Sequence, residues 1–377
     1  MRKILFITVA EGQPWGANEY LWGQTAEILA RRGHDVRVSV KKWSSPVPEV
    51  ERLRAAGCRV SYRTPRSLFA RLIRRVNPRF ADERSHIQAV GGDLDLVVIS
   101  QGANMDGLAW MEAALRIGLR YAPISHGVII YWWPEDPFAK RLAAVYEGAA
   151  AAYFVSQANV DLSRLQFGSP LVKAQIVRNP FNVRYDACPA WPGDNSGPLA
   201  LACVGRLDVV SKGQDILLQA LALPRWRRRD IRVSLIGSGP HEHVLRGIAS
   251  RLGLSNVDFR GHLGDIEGVW SAHHALILSS RYEGLPITVV EAMLCGRPCI
   301  VTDVGGNREL VRDGINGFIA KAPTVELLDE AMDRAWEQRG RLRKVGEQAA
   351  IDVRKWVSAN PAEEFADRLL KLVESAN

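Results

Sequence analysis

Apolar runs of strand length alternate with helical patterns along most of the chain, and a protein with that rhythm has few ways to fold. Ile4 to Val9, a helical 18 to 32, Asp35 to Val40, a helical 49 to 56, Arg59 to Tyr62 and Leu94 to Ser100 follow one another. Strands joined by helical crossovers lie parallel, with helices covering both faces of the sheet. The run Cys188-Pro-Ala-Trp-Pro-Gly-Asp-Asn-Ser-Gly-Pro198 breaks the rhythm, and its turn-forming composition reads as a linker. Beyond it the pattern restarts with Leu199 to Val204, a helix over about 213 to 222, Ile231 to Ile236, a helix at 241 to 252, Val257 to Arg260, Ala275 to Leu278 and Cys299 to Thr302. The expectation is an α/β fold of two tandem Rossmann-like domains, since 377 residues exceed one ordinary core. Ligands in such sheets bind beyond the carboxyl ends of the strands, so an interdomain cleft is the expected site. Asn360-Pro361 opens a last helix whose Phe365, Leu369, Leu372 and Val373 form one apolar stripe that must dock.

Composition narrows the class. With 47% apolar and 24% charged residues the chain is an ordinary globular protein. The opening Met-Arg-Lys-Ile-Leu-Phe-Ile-Thr-Val-Ala resembles a signal segment, but Glu11 cuts its apolar run short and it reads better as a buried first strand. No stretch reaches the 18 or so apolar residues of a spanning helix. Five cysteines at 58, 188, 203, 295 and 299 are odd in number and scattered, which suggests reduced thiols in a cytoplasmic protein and no zinc site. The net charge of +8 sits in the first half, where residues 1 to 185 hold 25 Lys and Arg against 16 Asp and Glu. Such an excess suits an anionic membrane, nucleic acid, a phosphorylated acceptor or simple solubility.

The densest chemistry lies in the second half. Strand Leu199 to Val204 runs into Gly205-Arg206-Leu207, with Lys212-Gly213 at the start of a helix, and two cations beside helical N–H groups form a phosphate clamp. Gly237-Ser-Gly239-Pro240 ends another strand in a turn that admits a planar ligand. With Asp258 it imitates a dinucleotide fingerprint, but Glu242 stands where the third glycine belongs. Glu283 and Glu291 bracket Arg281-Tyr-Glu-Gly-Leu-Pro-Ile-Thr-Val-Val-Glu-Ala-Met293; Pro286 opens a helix that stops at Gly296, so Glu291 rides inside it and Glu283 in the loop before it. Carboxylates accept hydrogen bonds without donating, so two at different heights suit two sets of sugar hydroxyls.

Gly205-Arg206-Leu207 with Lys212-Gly213, Gly237 to Pro240, Phe259-Arg-Gly-His262, the Glu283/Glu291 pair, and Thr302-Asp-Val-Gly-Gly-Asn-Arg-Glu309 with Gly314 and Gly317 resemble the family-4 (group 1) retaining glycosyltransferases of the GT-B fold. The likeness is dense over 199 to 320. It is thinner over the first half, where Ser125-His126-Gly127 resembles the family's histidine loop, Val155-Ser156 and Arg178-Asn179-Pro180 later landmarks, and Gly12 to Glu19 the glycine loop; the family's Gly-Gly pair is here Gly16-Ala17.

The resemblance implies an acceptor-binding domain over 1 to 187, a linker over 188 to 198, a donor-binding domain over 199 to 357, and a helix over 358 to 377 crossing back to the first domain. It implies a nucleotide-diphospho-sugar as donor substrate, no cofactor and no metal. His126, Arg206, Lys212 and Glu283 would form the catalytic group, the diphosphate lying on Arg206 and Lys212. Glu291 would hold the ribose, and Glu283 with Gly284 and Leu285 the transferred sugar. Gly237, Gly239, Pro240, Arg260, Gly261 and His262 would border the base, while Gly16 and Gly205 would line the phosphates. Neither glutamate is taken as a nucleophile, because family precedent has the departing phosphate assist acceptor deprotonation. An Asp-x-Asp metal site has one superficial match, Asp93-Leu-Asp95, which precedes an apolar run and reads as a strand entrance.

On the acceptor side, Tyr131, Trp132 and Trp133 follow His126 closely and are candidates to stack on an acceptor. Between 65 and 84, Leu68, Phe69, Leu72, Ile73, Val76 and Phe80 recur at helical spacing among Arg66, Arg71, Arg74, Arg75 and Arg79. That pattern fits peripheral contact with the inner face of an anionic membrane and equally a core-packed helix with a basic surface. No nucleic-acid partner is expected. The rival readings are a GT-B nucleotide-sugar epimerase or hydrolase, and a non-catalytic basic protein that binds membrane or nucleic acid.

Overall fold

The structure is a computed structural model that describes residues 1–9, 12–63, 83–90, 93–193 and 197–375. The basic segment over 65 to 84 lies almost wholly outside the described residues. The chain forms two compact units, one of residues 1–180 with 360–377 and one of residues 181–359.

The first unit is built on a parallel sheet of strands β1 (Lys3–Thr8), β2 (Asp35–Lys41), β3 (Arg59–Arg63), β4 (Leu96–Ala103), β5 (Tyr121–Gly127), β6 (Ala152–Phe154) and β7 (Ala174–Ile176), in the order β3-β2-β1-β4-β5-β6-β7. Alternation decides which face each residue serves. Ile4 and Phe6 pack with Leu21 and Trp22 on one side of the sheet, and Leu5 and Ile7 with Ile99 and Met111 on the other. The apolar run at the N-terminus is therefore a central strand buried on both faces, as expected. Asp93 pairs with the Lys3 ammonium, and Asp95 accepts a hydrogen bond of 2.6 Å from the Lys3 backbone N–H. Both carboxylates sit at the amino ends of β1 and β4, opposite the edge where parallel sheets bind ligands.

The last helix, Pro361–Glu374, belongs to this unit. It buries Phe365, Ala366 and Leu369 in the core shared with Trp22, its Phe365 ring lies edge-on to Tyr153 at 4.9 Å, and Arg32 pairs with Asp367 and Glu363.

The second unit repeats the plan with β8 (Leu199–Val204), β9 (Ile231–Ile236), β10 (Val257–Gly261), β11 (Ala275–Leu278), β12 (Cys299–Thr302) and β13 (Gly317–Ala320), all parallel, in the order β10-β9-β8-β11-β12-β13. The chain enters this unit at Phe181 and leaves it after Ala359, so residues 188–193, the first described part of the expected interdomain linker, are grouped with it. Their carbonyls are what hold them. Buried Arg297 donates to Ala190 O at 2.6 Å and Pro189 O at 3.3 Å and lies over the Trp191 ring, while a His274 ring nitrogen bonds Pro192 O. Burial pushes the Arg297 guanidinium pKa down to about 10.

All five cysteines are free, with Cys188 exposed and the other four buried. Among the described residues no helix is long and apolar enough to cross a membrane, and no group of three His, Cys, Asp or Glu is placed to hold a metal ion.

Candidate active site

In a parallel sheet the crevice opens where the strand order reverses, between β8 and β11 in the second unit. The segments leaving those two strands carry Gly205, Arg206, Lys212, Glu283, Gly284 and Leu285. After β8 the chain turns through Gly205 and Arg206 to the short helix Val209–Lys212. After β11 it runs through Ser279 and Glu283 to the helix Ile287–Leu294, with Pro286 as its cap. Hydrogen bonds tie the two loops, the Arg281 backbone N–H donating to Ser211 O at 2.8 Å and the Ser279 side-chain Oγ to Gly213 O at 2.7 Å.

Across this seam Lys212 Nζ meets Glu283 Oε1 at 2.5 Å, and Ser280 Oγ donates to the same oxygen at 2.7 Å. The sequence assigned these two side chains to different parts of a donor, phosphate and sugar. The structure joins them as one pair, buried on the carboxylate side, where Glu283 is 8% exposed. A cation and a carboxylate so placed have complementary chemistry: one can neutralise charge developing on an oxygen, the other can accept from hydroxyls. Arg206 is exposed and makes no side-chain hydrogen bond or ion pair among the described residues, while Gln214 fixes its carbonyl at 2.7 Å.

Two glycines let these loops approach. At Gly237, φ is +138° and an added Cβ would lie 2.1 Å from Gly205 O; at Gly305, φ is +52° and a Cβ would lie 2.3 Å from Glu283 O. Glycine alone tolerates such contact. Gly237 N–H also donates to Gly261 O at 2.7 Å, which joins the Gly237 to Pro240 turn to the end of β10 beside exposed His262. Arg260 and Gly261 close that strand. Gly284 O receives the Gly306 N–H at 2.7 Å, and Leu285 is buried.

Glu291 sits one helical stretch away, 2% exposed, and its Oε1 accepts from both the backbone N–H and the side-chain amide of Asn182, at 2.8 and 2.9 Å. Burial raises its pKa, and the two Asn182 bonds oppose that rise. Sequence reasoning missed Asn182, Ser280 and Gln214; each supports a residue that was found, and Ser280, three residues from Glu283, and Gln214, eight from Arg206, lie close enough in sequence to invite notice, whereas Asn182 is 109 residues from Glu291.

In the first unit the corresponding reversal lies between β1 and β4. His126 ends β5, 6% exposed, with Nε2 3.3 Å from Ser100 Oγ. Burial pushes its pKa down to about 4, with the Asn179 side chain opposing, so it stands neutral at physiological pH. Gly16 caps the helix Ala17–Arg31, and its N–H donates to Glu19 Oε2 at 3.0 Å rather than facing outward. Glu19 is 3% exposed and bonded by Thr8 Oγ1 at 3.2 Å; burial lifts its carboxyl pKa to about 7. Nothing in the sequence marked Glu19 beyond its place in the glycine loop. Tyr131, Trp132 and Trp133 stand 48 to 58% exposed on a loop whose Ile129 and Trp132 carbonyls accept from buried Gln166. His273 and His274 have both ring nitrogens engaged and are structural.

Residues 192–352 match the family model of the glycosyl transferases group 1. The chain is 31% identical over 159 residues to the Bacillus subtilis protein EpsD, a match spanning 42% of each chain and so less than half of that relative's length. It is 26% identical over 343 residues, 84% of each chain, to a GDP-mannose-dependent alpha-(1-6)-phosphatidylinositol monomannoside mannosyltransferase of Mycolicibacterium smegmatis. The crystal structure of Anabaena HepE in complex with UDP superposes with a TM-score of 0.74 at 20% identity, covering 98% of this chain and all of that one. That last likeness shows the fold, two Rossmann-like α/β domains of the GT-B class. Together these similarities support a glycosyltransferase of group 1, its family match carried by the second unit.

Proposed function

We propose that the chain is a retaining, metal-independent family-4 glycosyltransferase that moves a hexosyl group from a nucleoside-diphospho-sugar to an acceptor hydroxyl, in building a polysaccharide, glycolipid or glycosylated metabolite. The observation that carries this reading is the Lys212–Glu283 pair at the switch point of the second sheet, beside exposed Arg206. GDP-mannose named for one relative and UDP bound to HepE support the donor class. In this mechanism the anomeric C–O bond to the diphosphate breaks and the released oxygen is stabilised by Lys212 and Arg206. The acceptor oxygen bonds the anomeric carbon on the same face and passes its proton to that phosphate oxygen, leaving a glycoside and a nucleoside diphosphate. Glu283 holds sugar hydroxyls and Glu291 the ribose, exchanging its Asn182 contact for ribose donors. His126, neutral, presents imidazole to the donor sugar, and Tyr131 to Trp133 receive the acceptor.

Thermal-shift measurements with UDP, GDP and ADP identify the base, since ligand at 100 times its Kd adds about 2.7 kcal/mol. Proton NMR of the product from the matched α-linked donor then reads the anomer, with excess EDTA present. An α-glycoside formed at an undiminished rate is the expected result. A β-product overturns retention, and a loss of activity that Mg²⁺ restores overturns metal independence.

A further inference from the structure

Two ion pairs of opposite polarity cross the seam between the segments that follow β8 and β11. One is Lys212 with Glu283. The other joins Asp215, three residues beyond Lys212, to Arg281, two residues before Glu283: Nη1 and Nη2 donate to the two carboxylate oxygens, each at 2.7 Å. The same guanidinium reaches further. Its Nη1 donates to Val209 O at 2.6 Å, while the Arg281 backbone N–H donates to Ser211 O at 2.8 Å. Arg281 therefore ties the helix Val209–Lys212 to the first turn of the helix Gln214–Leu221, which carries Asp215.

Lys212 needs such a hold. It ends a helix of four residues, too short to be stable by itself. Gly213 follows at φ +60°, where an added Cβ would lie 2.2 Å from Ser279 O, so the chain turns sharply just after the lysine. The bonds that fix this turn come from the other segment, Arg281 on Val209 O and Ser211 O, and Ser279 Oγ on Gly213 O and, at 3.3 Å, on Lys212 O. An arginine suits the task because its planar fork meets both oxygens of a carboxylate while one nitrogen also serves a carbonyl, which a lysine ammonium cannot reproduce.

Polarity adds specificity. A loose Asp215 would compete for Lys212, and a loose Arg281 for Glu283; bound to each other, neither does. The Arg281 and Asp215 side chains are 33% and 21% exposed, and ion pairs that water reaches add little stability, so the yield of this one is geometry. We propose that Arg281, held by Asp215, is a positioning residue that sets Lys212 Nζ against Glu283 without itself touching the substrate. Its effect on the reaction rests on the proposed transferase function, in which Lys212 stabilises the leaving oxygen, whereas its effect on the lysine stands independently.

Two measurements on the full chain test this. Reductive methylation read by mass spectrometry needs no turnover: Lys212 should be labelled several-fold faster in Arg281→Gln and in Asp215→Asn, as in Glu283→Gln, with exposed Lys321 and Lys344 unchanged. Donor turnover is followed as release of nucleoside diphosphate from UDP-glucose and GDP-mannose. Arg281→Gln and Asp215→Asn should each lower kcat roughly tenfold or more with donor KM changed far less, and Tm should stay within about 4 °C of the parent. Because Arg281 acts through Lys212, the double variant Lys212→Met/Arg281→Gln should be no slower than Lys212→Met alone. Parental labelling of Lys212 in both Arg281→Gln and Asp215→Asn would refute the positioning role. A double variant slower than Lys212→Met by the full Arg281→Gln factor would overturn it too, reducing the pair to scaffold. Faster labelling together with parental turnover in Lys212→Met would keep the positioning role and overturn the function proposed for the lysine.

Discussion

Replacing Lys212 by Met separates two consequences of one ion pair. The Lys212 side chain is 24% exposed and that of Glu283 7%, so the carboxylate bears most of the desolvation. Removing one partner of a fully buried pair costs about 3–5 kcal/mol. Because water reaches the lysine side, about 2 kcal/mol is the better figure here. For a unit of this size that lowers Tm by roughly 4–8 °C. Catalysis loses separately, since a pre-positioned donor to the leaving oxygen contributes roughly 3 kcal/mol, about a hundredfold in kcat. The double variant Lys212→Met/Glu283→Gln removes the stranded charge and should recover most of the stability while transfer stays a hundredfold or more down. Calorimetric Tm and initial transfer rates on the parent, both single variants and the double complete the cycle. Transfer in Lys212→Met within fivefold of the parent, or a double variant no more stable than Lys212→Met, would refute the reasoning.

Three further outcomes follow from other sites. Because the folded pKa of His126 is about 4 against an ordinary 6.5, the unfolded chain alone takes up that proton between those values; stability should fall by about 1.4 kcal/mol per pH unit as pH drops through that window. Urea melts of the parent and His126→Gln at pH 7.5 and 4.5 should differ by that contribution. Glu19 works in the opposite direction: its carboxyl, raised to about 7, is a burden above pH 7 that is relieved as pH falls toward 4.5, so Glu19→Gln should stabilise the protein at pH 8 and have no such effect at pH 4.5. Gly237→Ala, forced to place Cβ against Gly205 O, should abolish nucleotide-induced thermal shift in this unit while circular dichroism still reports a folded protein; an unchanged shift would separate that turn from donor binding.

The fold was readable because parallel strands are buried on both faces and advertise themselves as apolar runs, as Ile4 to Ile7 and Ala275 to Leu278 do. Helix ends were equally plain where chemistry is local, at Pro286 with Gly296 and at Asn360-Pro361. The site was legible as motifs but not as contacts. That Lys212 and Glu283 meet, that Asn182 occupies Glu291, and that Glu19 is buried all depend on residues distant in sequence or on burial, which spacing does not encode. The contacts of the segment from Pro189 to Pro192 were hidden for a related reason. The segment's prolines describe a chain that forms no regular element, but its carbonyls are what Arg297 and His274 bind.

The helix Pro361–Glu374 completes a core begun by the helix Ala17–Arg31, with a whole second unit between them in the chain. On a ribosome adding about 5–20 residues per second, some 330 residues separate the two, a wait of roughly 15 to 70 s. Throughout it the surface around Leu21, Trp22 and Leu29 lacks the lid that Phe365 and Leu369 later provide. The second unit, continuous in sequence, has no such delay and can finish folding before the first. The second core can thus close before the first although it is made later, and a chain stopped before Pro361 would leave the first unit's core without that lid.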